Sequence, residues 1–214
     1  MTEFQTILGE SMLCIEGLAA LTSVLYYNRL KNQYWKYFVF FLIFIFLCEC
    51  VGKWGHHFMD YNKAQFYNYF VIPAQFIFFY WLYAAKSLGK PRLFAVLSFL
   101  YLFSFIPIEF ISTNKVMFSL NYTLGCLLLM ILVIMEYYKQ INSSDILHFN
   151  KNRMFYINLG VTLFYIGTLP FWTFLDYIRE YRGIFNIYFS YFLISGIIMY
   201  VLFTISFIWG KQNS

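Results

Sequence analysis

A carboxylate inside an apolar stretch has neighbours whose types and spacing could support chemistry. Glu49 lies between Cys48 and Cys50, and Lys53 follows four residues later, so the two charges can pair on one helical face. Side chains that could ligate a metal come next, at His56, His57 and Asp60. These three, with or without Glu49, are a candidate metal site. The alternative is an interfacial loop whose histidines titrate or form hydrogen bonds.

Other polar side chains also enter apolar stretches. Ionisable groups inside a bilayer are costly, so each one is a candidate functional residue. The set that we expect to line a ligand pocket on the outer side of the membrane is Glu16, Glu49, Gln75, Asn121, Trp172, Asp176 and Asn186. The alternative is that polar residues collect near helix ends because there they reach the interface. We expect the inner halves of the helices to be nearly apolar, with Glu136 beside the interface and Asn158 near the start of the predicted sixth helix.

The composition indicates what kind of structure must position these residues. Of the 214 residues, 61% are hydrophobic and only 12% are charged, whereas an ordinary soluble domain is roughly 25% charged. A chain this short has too little interior to hide so much apolar surface from water. The sequence therefore predicts an integral membrane protein and excludes a soluble enzyme, a coiled coil and a disulfide scaffold.

Seven apolar stretches are long enough to cross a bilayer as helices, which takes about 20 residues each. They run approximately over Ile7–Tyr27, Tyr34–Val51, Phe66–Ala85, Leu93–Ile111, Met117–Tyr137, Met154–Leu175 and Ile184–Trp209. Runs such as 38–47 are apolar at every position, which excludes the alternating pattern of barrel strands. We predict an all-α bundle of seven transmembrane helices that forms a single domain over residues 1–214, with no room for a soluble domain.

The distribution of positive charge predicts the orientation. Of the 15 Lys and Arg residues, ten fall in the first, third and fifth loops and the C-terminal tail, and five fall in the alternate loops. Cytoplasmic loops carry the excess of positive charge, so we place the N-terminus outside and the C-terminus in the cytoplasm. We expect a multi-pass protein of the inner, cytoplasmic membrane whose cytoplasmic loops contact anionic lipids.

Known motifs for cofactors are missing from the sequence. The stretch Ile184–Trp209 contains no Lys. Retinal binding would require a Schiff-base lysine there, so the sequence does not support it. Gly-rich phosphate loops and nucleophile elbows are also absent. We therefore expect no cofactor and no nucleic-acid partner, and the oligomeric state stays open.

The pattern resembles small uncharacterised seven-helix bacterial membrane proteins. The residues that carry the resemblance are Glu49, Asn68 with Tyr69, and the aromatic closing stretch Tyr188–Trp209. In size and hydropathy the chain is also similar to membrane accessory proteins of some RNA-guided defence systems. High Phe, Tyr, Ile, Lys and Asn content suggests a bacterial source.

Several functions are compatible with these features. Our first hypothesis is a receptor or sensor that binds a small molecule, lipid or ion in the outer pocket and signals through a cytoplasmic protein partner. The second is a small transporter or channel, which requires a polar path across the whole membrane. The third is an accessory or effector protein of a bacterial defence or stress system. An intramembrane enzyme would need Glu49 and a neighbouring histidine as acid and base, and no nucleophile lies beside them, so we lean against an enzyme.

Overall fold

A computed structural model describes residues 2–55, 62–105, 116–143 and 150–210 of the chain. The described part is helical and contains no strand. The α-helices are α1 Glu3–Leu25, α2 Tyr27–Leu30, α3 Lys36–Trp54, α4 Lys63–Phe66, α5 Ile72–Tyr80, α6 Pro91–Phe103, α7 Val116–Ile141, α8 Arg153–Val161, α9 Leu169–Thr173, α10 Leu175–Arg179 and α11 Arg182–Ile208. Three π-helical segments lie among them, π1 Tyr67–Val71, π2 Trp81–Ser87 and π3 Thr162–Ile166.

Among the described residues, five helices are long and apolar enough to cross a membrane. They are Glu3–Leu25, Lys36–Trp54, Leu120–Ile141, Arg153–Thr173 and Arg182–Ile208. Helices suit this environment because they satisfy every backbone polar group internally. The chain is thus a helical membrane protein, and the five spans match five of the seven predicted stretches.

The other two predicted stretches differ from a long regular helix. Helical backbone continues from Lys63 to Ser87, but π1 and π2 interrupt the α-helical geometry. The predicted stretch Leu93–Ile111 overlaps the short apolar helix Pro91–Phe103, and the end of that stretch lies outside the described residues.

Prolines follow two of the π segments. Proline lacks an N–H donor, and its ring collides with the carbonyl group four residues earlier. Pro73 follows π1 within two residues, and Pro170 comes four residues after π3 ends. Each proline lies in the first turn of the next α-helix, Pro73 in α5 and Pro170 in α9. Such π bulges are frequently found at functional sites.

Polar residues start several helices. Asn62 and Asn152 accept backbone hydrogen bonds at the starts of α4 and α8, which satisfies otherwise unpaired N–H groups. Gly89, with φ of 66°, turns the chain between π2 and α6, and glycine adopts this left-handed conformation without steric cost.

Aromatic rings fill the centre of the bundle. Helix α1 packs against α3 and α11, and α11 also packs against α8. The Phe38 ring contacts Phe78 and Phe203, which joins α3 to α5 and α11. Small residues on α1 allow close packing: Ala19 and Ala20 are buried, and a Cβ on Gly17 would meet the Phe46 ring at 2.9 Å.

Candidate functional site

Glu16 is a carboxylate buried in the middle of α1. Only 1% of its surface is exposed, because it lies on the same face as the small residues that pack against α3 and α11. The Tyr200 hydroxyl, on α11, donates a hydrogen bond of 3.0 Å to Glu16 Oε1. The Glu49 carboxylate, on the neighbouring helix α3, lies within electrostatic reach of Glu16.

Glu49 lies near the end of α3 and accepts a hydrogen bond of 2.8 Å from the Tyr67 hydroxyl in π1. Gly52 makes this contact possible, because a Cβ at that position would overlap the Tyr67 hydroxyl. The cation whose field acts on Glu49 is Lys63. Our expected partner, Lys53, instead holds its ammonium group 5.4 Å from the centre of the Trp54 ring.

Gln75 extends the same group of residues into the bundle. Its Oε1 accepts a hydrogen bond of 3.0 Å from the Tyr165 hydroxyl, and Tyr165 lies within electrostatic reach of both Glu16 and Glu49. Two of the tyrosines, Tyr67 and Tyr165, come from π segments. We call the six residues the carboxylate cluster: Glu16, Glu49, Tyr67, Gln75, Tyr165 and Tyr200.

The other predicted pocket residues lie in separate contacts. Asn121 on α7 accepts a hydrogen bond of 3.1 Å from the Ser104 hydroxyl. The Trp172 ring packs 5.3 Å from Tyr122, and its buried Nε1 has no hydrogen-bond partner among the described residues. No described contact joins Asn121 or Trp172 to a member of the carboxylate cluster.

Asn186 joins α11 to the start of α1. Its carbonyl and its Oδ1 accept hydrogen bonds of 3.2 and 3.3 Å from Gln5 Nε2, and Gln5 is 1% exposed. The sequence signal for Gln5 was Thr2-x-x-Gln5, a capping box at the start of α1. It predicts the helix start, but it does not predict that the same amide reaches Asn186.

Several of the predicted residues cannot be placed. Asp176 falls in α10, and its side chain lies outside the described part of the structure. The candidate metal ligands His56, His57 and Asp60 also lie outside it. Among the residues that are described, no group of three or more His, Cys, Asp or Glu side chains could hold a metal ion.

The half of the bundle that contains Glu136 is more polar than we expected. Glu136 is 1% exposed. It accepts hydrogen bonds of 2.6 Å from Ser87 Oγ and 2.9 Å from Gln140 Nε2. Burial, together with the charge of Glu136, raises the pKa of Tyr34, which lies in the loop between α2 and α3, to about 12. Tertiary packing buries the polar residues in this half of the bundle. The distance of a residue from the end of its helix does not predict that burial.

Two residues of α8 contribute to this second polar region. Arg153 is 5% exposed and donates hydrogen bonds of 3.1 and 2.8 Å to the carbonyls of Ser206 and Gly210. It therefore satisfies carbonyl groups at the C-terminal end of α11. Asn158 is fully buried, and neither its Oδ1 nor its Nδ2 has a described hydrogen-bond partner. An unpaired buried amide of this kind is suited to hold an internal water or a polar ligand.

The geometry of the carboxylate cluster limits what it can do. Like charges in a low-dielectric interior destabilise each other unless a cation or a proton neutralises one of them. The field of Lys63 acts on Glu49, whereas the tyrosine hydroxyls around Glu16 supply hydrogen bonds and carry no positive charge. The cluster is therefore suited to take up a proton or a small cation.

The interpretation of this site rests on its own geometry. We found no family model, no curated protein and no solved structure that matches the chain.

Proposed function

We propose that this chain is a seven-helix receptor or sensor whose carboxylate cluster binds a cation, either a proton or a small positively charged ligand. The observation that carries the proposal is the burial of Glu16 on α1, at 1% exposure, within electrostatic reach of the Glu49 carboxylate on α3. Intramembrane ionisable residues that face the bundle interior are commonly functional.

The proposal includes seven crossings, with the N-terminus outside the inner membrane of a bacterial cell. The unbroken helical backbone from Lys63 to Ser87 and the apolar helix Pro91–Phe103 support the two additional crossings. In this orientation Glu49 and Lys63 lie near the outer surface, and a cation enters there. Reporter fusions in successive loops test the topology, which fails if two neighbouring loops report the same side.

Cation binding would change how the helices pack. Glu16 lies on α1, Glu49 on α3 and Tyr200 on α11, so the cluster connects three helices that contact one another. A ligand shifts a conformational equilibrium only if it binds the two arrangements with different affinity. A cation does so when it relieves the repulsion in one arrangement more than in the other. A cytoplasmic protein that reads the basic loops would complete the signal.

The experiment measures thermal unfolding of the purified protein while either Na⁺ or pH is varied at constant ionic strength. A ligand at 100 times its dissociation constant stabilises a protein by about 2.7 kcal/mol. We expect Glu16→Gln to abolish the response, because the amide can still accept the Tyr200 hydrogen bond but lacks the charge. Glu10→Gln is the matched control, since Glu10 is exposed on the same helix. The proposal fails if Glu16→Gln and Glu49→Gln both respond like the unaltered protein.

A small transporter or channel is the second candidate. The observation that favours it is the buried polar region around Glu136 and Asn158 in the other half of the bundle. Between the two regions, the Tyr137 and Thr162 hydroxyls lie 3.2 Å apart. Flux of protons or Na⁺ into liposomes containing the protein supports transport if Asn158→Leu slows it. Absence of flux in the unaltered protein leaves the receptor as the better account.

The accessory or effector function stays a prediction. It rests on size and hydropathy alone, and gene neighbourhood is the observation that would test it.

A further inference from the structure

An apolar groove lies on the outside of the bundle between α3 and the helical segment that contains α5 and π2. Its volume is about 570 Å³, within the range of roughly 300–1,000 Å³ that is common for ligand sites. The groove is lined by Tyr37, Phe40, Phe41, Phe44, Ala74, Phe78, Trp81 and Lys86.

Aromatic rings make most of the groove surface. The Phe41 and Phe78 rings stack with their centres 3.9 Å apart, and Phe40 is 52% exposed beside them. Ala74 has a small side chain between these larger ones, which leaves room for a ligand. Because the surrounding helices cross a membrane, the apolar molecule that meets this surface is a lipid acyl chain.

Positive charge is found at one end of the groove. The Lys86 ammonium lies 5.4 Å from the centre of the Trp81 ring, and the Lys36 ammonium lies 5.2 Å from that of Tyr37. The Tyr37 and Trp81 rings contact each other at 5.3 Å, which brings the two cations to the same end. Tyr and Trp are enriched at membrane interfaces, where lipid headgroups lie.

We infer that the groove binds one anionic phospholipid. The acyl chain lies along the stacked Phe41 and Phe78 rings, and the phosphate lies between Lys36 and Lys86. The argument for this occupant is charge complementarity at the interface end, combined with an apolar floor along the rest of the groove. The site is independent of the proposed cation binding, because none of its lining residues belongs to the carboxylate cluster.

Native mass spectrometry of the detergent-solubilised full chain tests the inference with two added probes. These are phosphatidylglycerol and phosphatidylcholine with identical acyl chains. We expect at least tenfold tighter retention of one phosphatidylglycerol than of phosphatidylcholine. The variant with both Lys36→Gln and Lys86→Gln should lose this preference, and Ala74→Phe should reduce retention of both lipids by filling the groove.

Lys90→Gln is the matched control, since Lys90 is exposed at the same end of the bundle and does not line the groove. The inference is overturned if Lys90→Gln loses the preference as fully as the double variant does. It is also overturned if the double variant keeps the preference, or if a second copy of the chain binds in place of lipid. Melting temperatures without added lipid show whether each variant folds. If Ala74→Phe does not fold, the lysine variants alone test the lipid preference.

Discussion

Gly52→Ala perturbs the contact between Glu49 and Tyr67 in the carboxylate cluster. The new Cβ would overlap the Tyr67 hydroxyl and would lie 2.8 Å from Tyr67 Cζ. The ring must therefore move away from Glu49 and break a hydrogen bond of 2.8 Å. The tyrosine belongs to π1, whose backbone has little freedom to follow because Pro73 comes two residues after its end.

The magnitude combines three effects. An extra methyl group in a packed interior costs about 1–3 kcal/mol, and a lost hydrogen bond to a charged group costs about 1.5–3 kcal/mol. Alanine in place of glycine in a helix returns about 1 kcal/mol. The free energy of unfolding should therefore fall by about 1.5–5 kcal/mol.

Thermal unfolding of the purified protein measures this change. Gly9→Ala is the control, because Gly9 also lies in a helix and a Cβ there meets nothing within 4 Å. The double variant Gly52→Ala with Tyr67→Phe should be more stable than the sum of the two single effects predicts, since the overlapping hydroxyl is gone. The reasoning is refuted if Gly52→Ala is as stable as Gly9→Ala, or if the two substitutions are strictly additive.

Two further variants test the polar region around Glu136 and Asn158. Asn158→Leu should raise the melting temperature, because an unpaired buried polar group costs about 1–3 kcal/mol; a lower melting temperature would show that the amide is paired, through water or a ligand. Arg153→Lys should weaken the last turn of α11, since an ammonium cannot reproduce the fork that contacts Ser206 and Gly210. Hydrogen exchange at the Trp209 amide should become faster while Lys151→Gln leaves it unchanged, and equal rates in both variants would contradict the capping role.

The helical membrane fold could be predicted from composition and hydropathy, because a bilayer restricts spanning segments to a few structures. Hydropathy predicted the starts of these stretches at Ile7, Phe66 and Met154, and the caps at Thr2, Asn62 and Asn152 lie a few residues earlier. The interruptions at π1 and π3 were not predicted, although Pro73 and Pro170 mark their neighbourhood. A proline in a membrane helix can be accommodated by a kink or by a π turn, and the packing of neighbouring helices selects between them.

Position along the predicted helices was enough to single out Glu16, Glu49 and Gln75 as polar residues within apolar stretches. Only the tertiary structure decided that Glu49 lies within electrostatic reach of Glu16, and that Tyr165, which donates a hydrogen bond to Gln75, lies within reach of both carboxylates. It also separated Asn121 and Asn186 into other contacts. The reason is that hydropathy records how far a residue lies along its own helix, whereas the order and rotation of helices in the bundle depend on side-chain packing between segments distant in sequence.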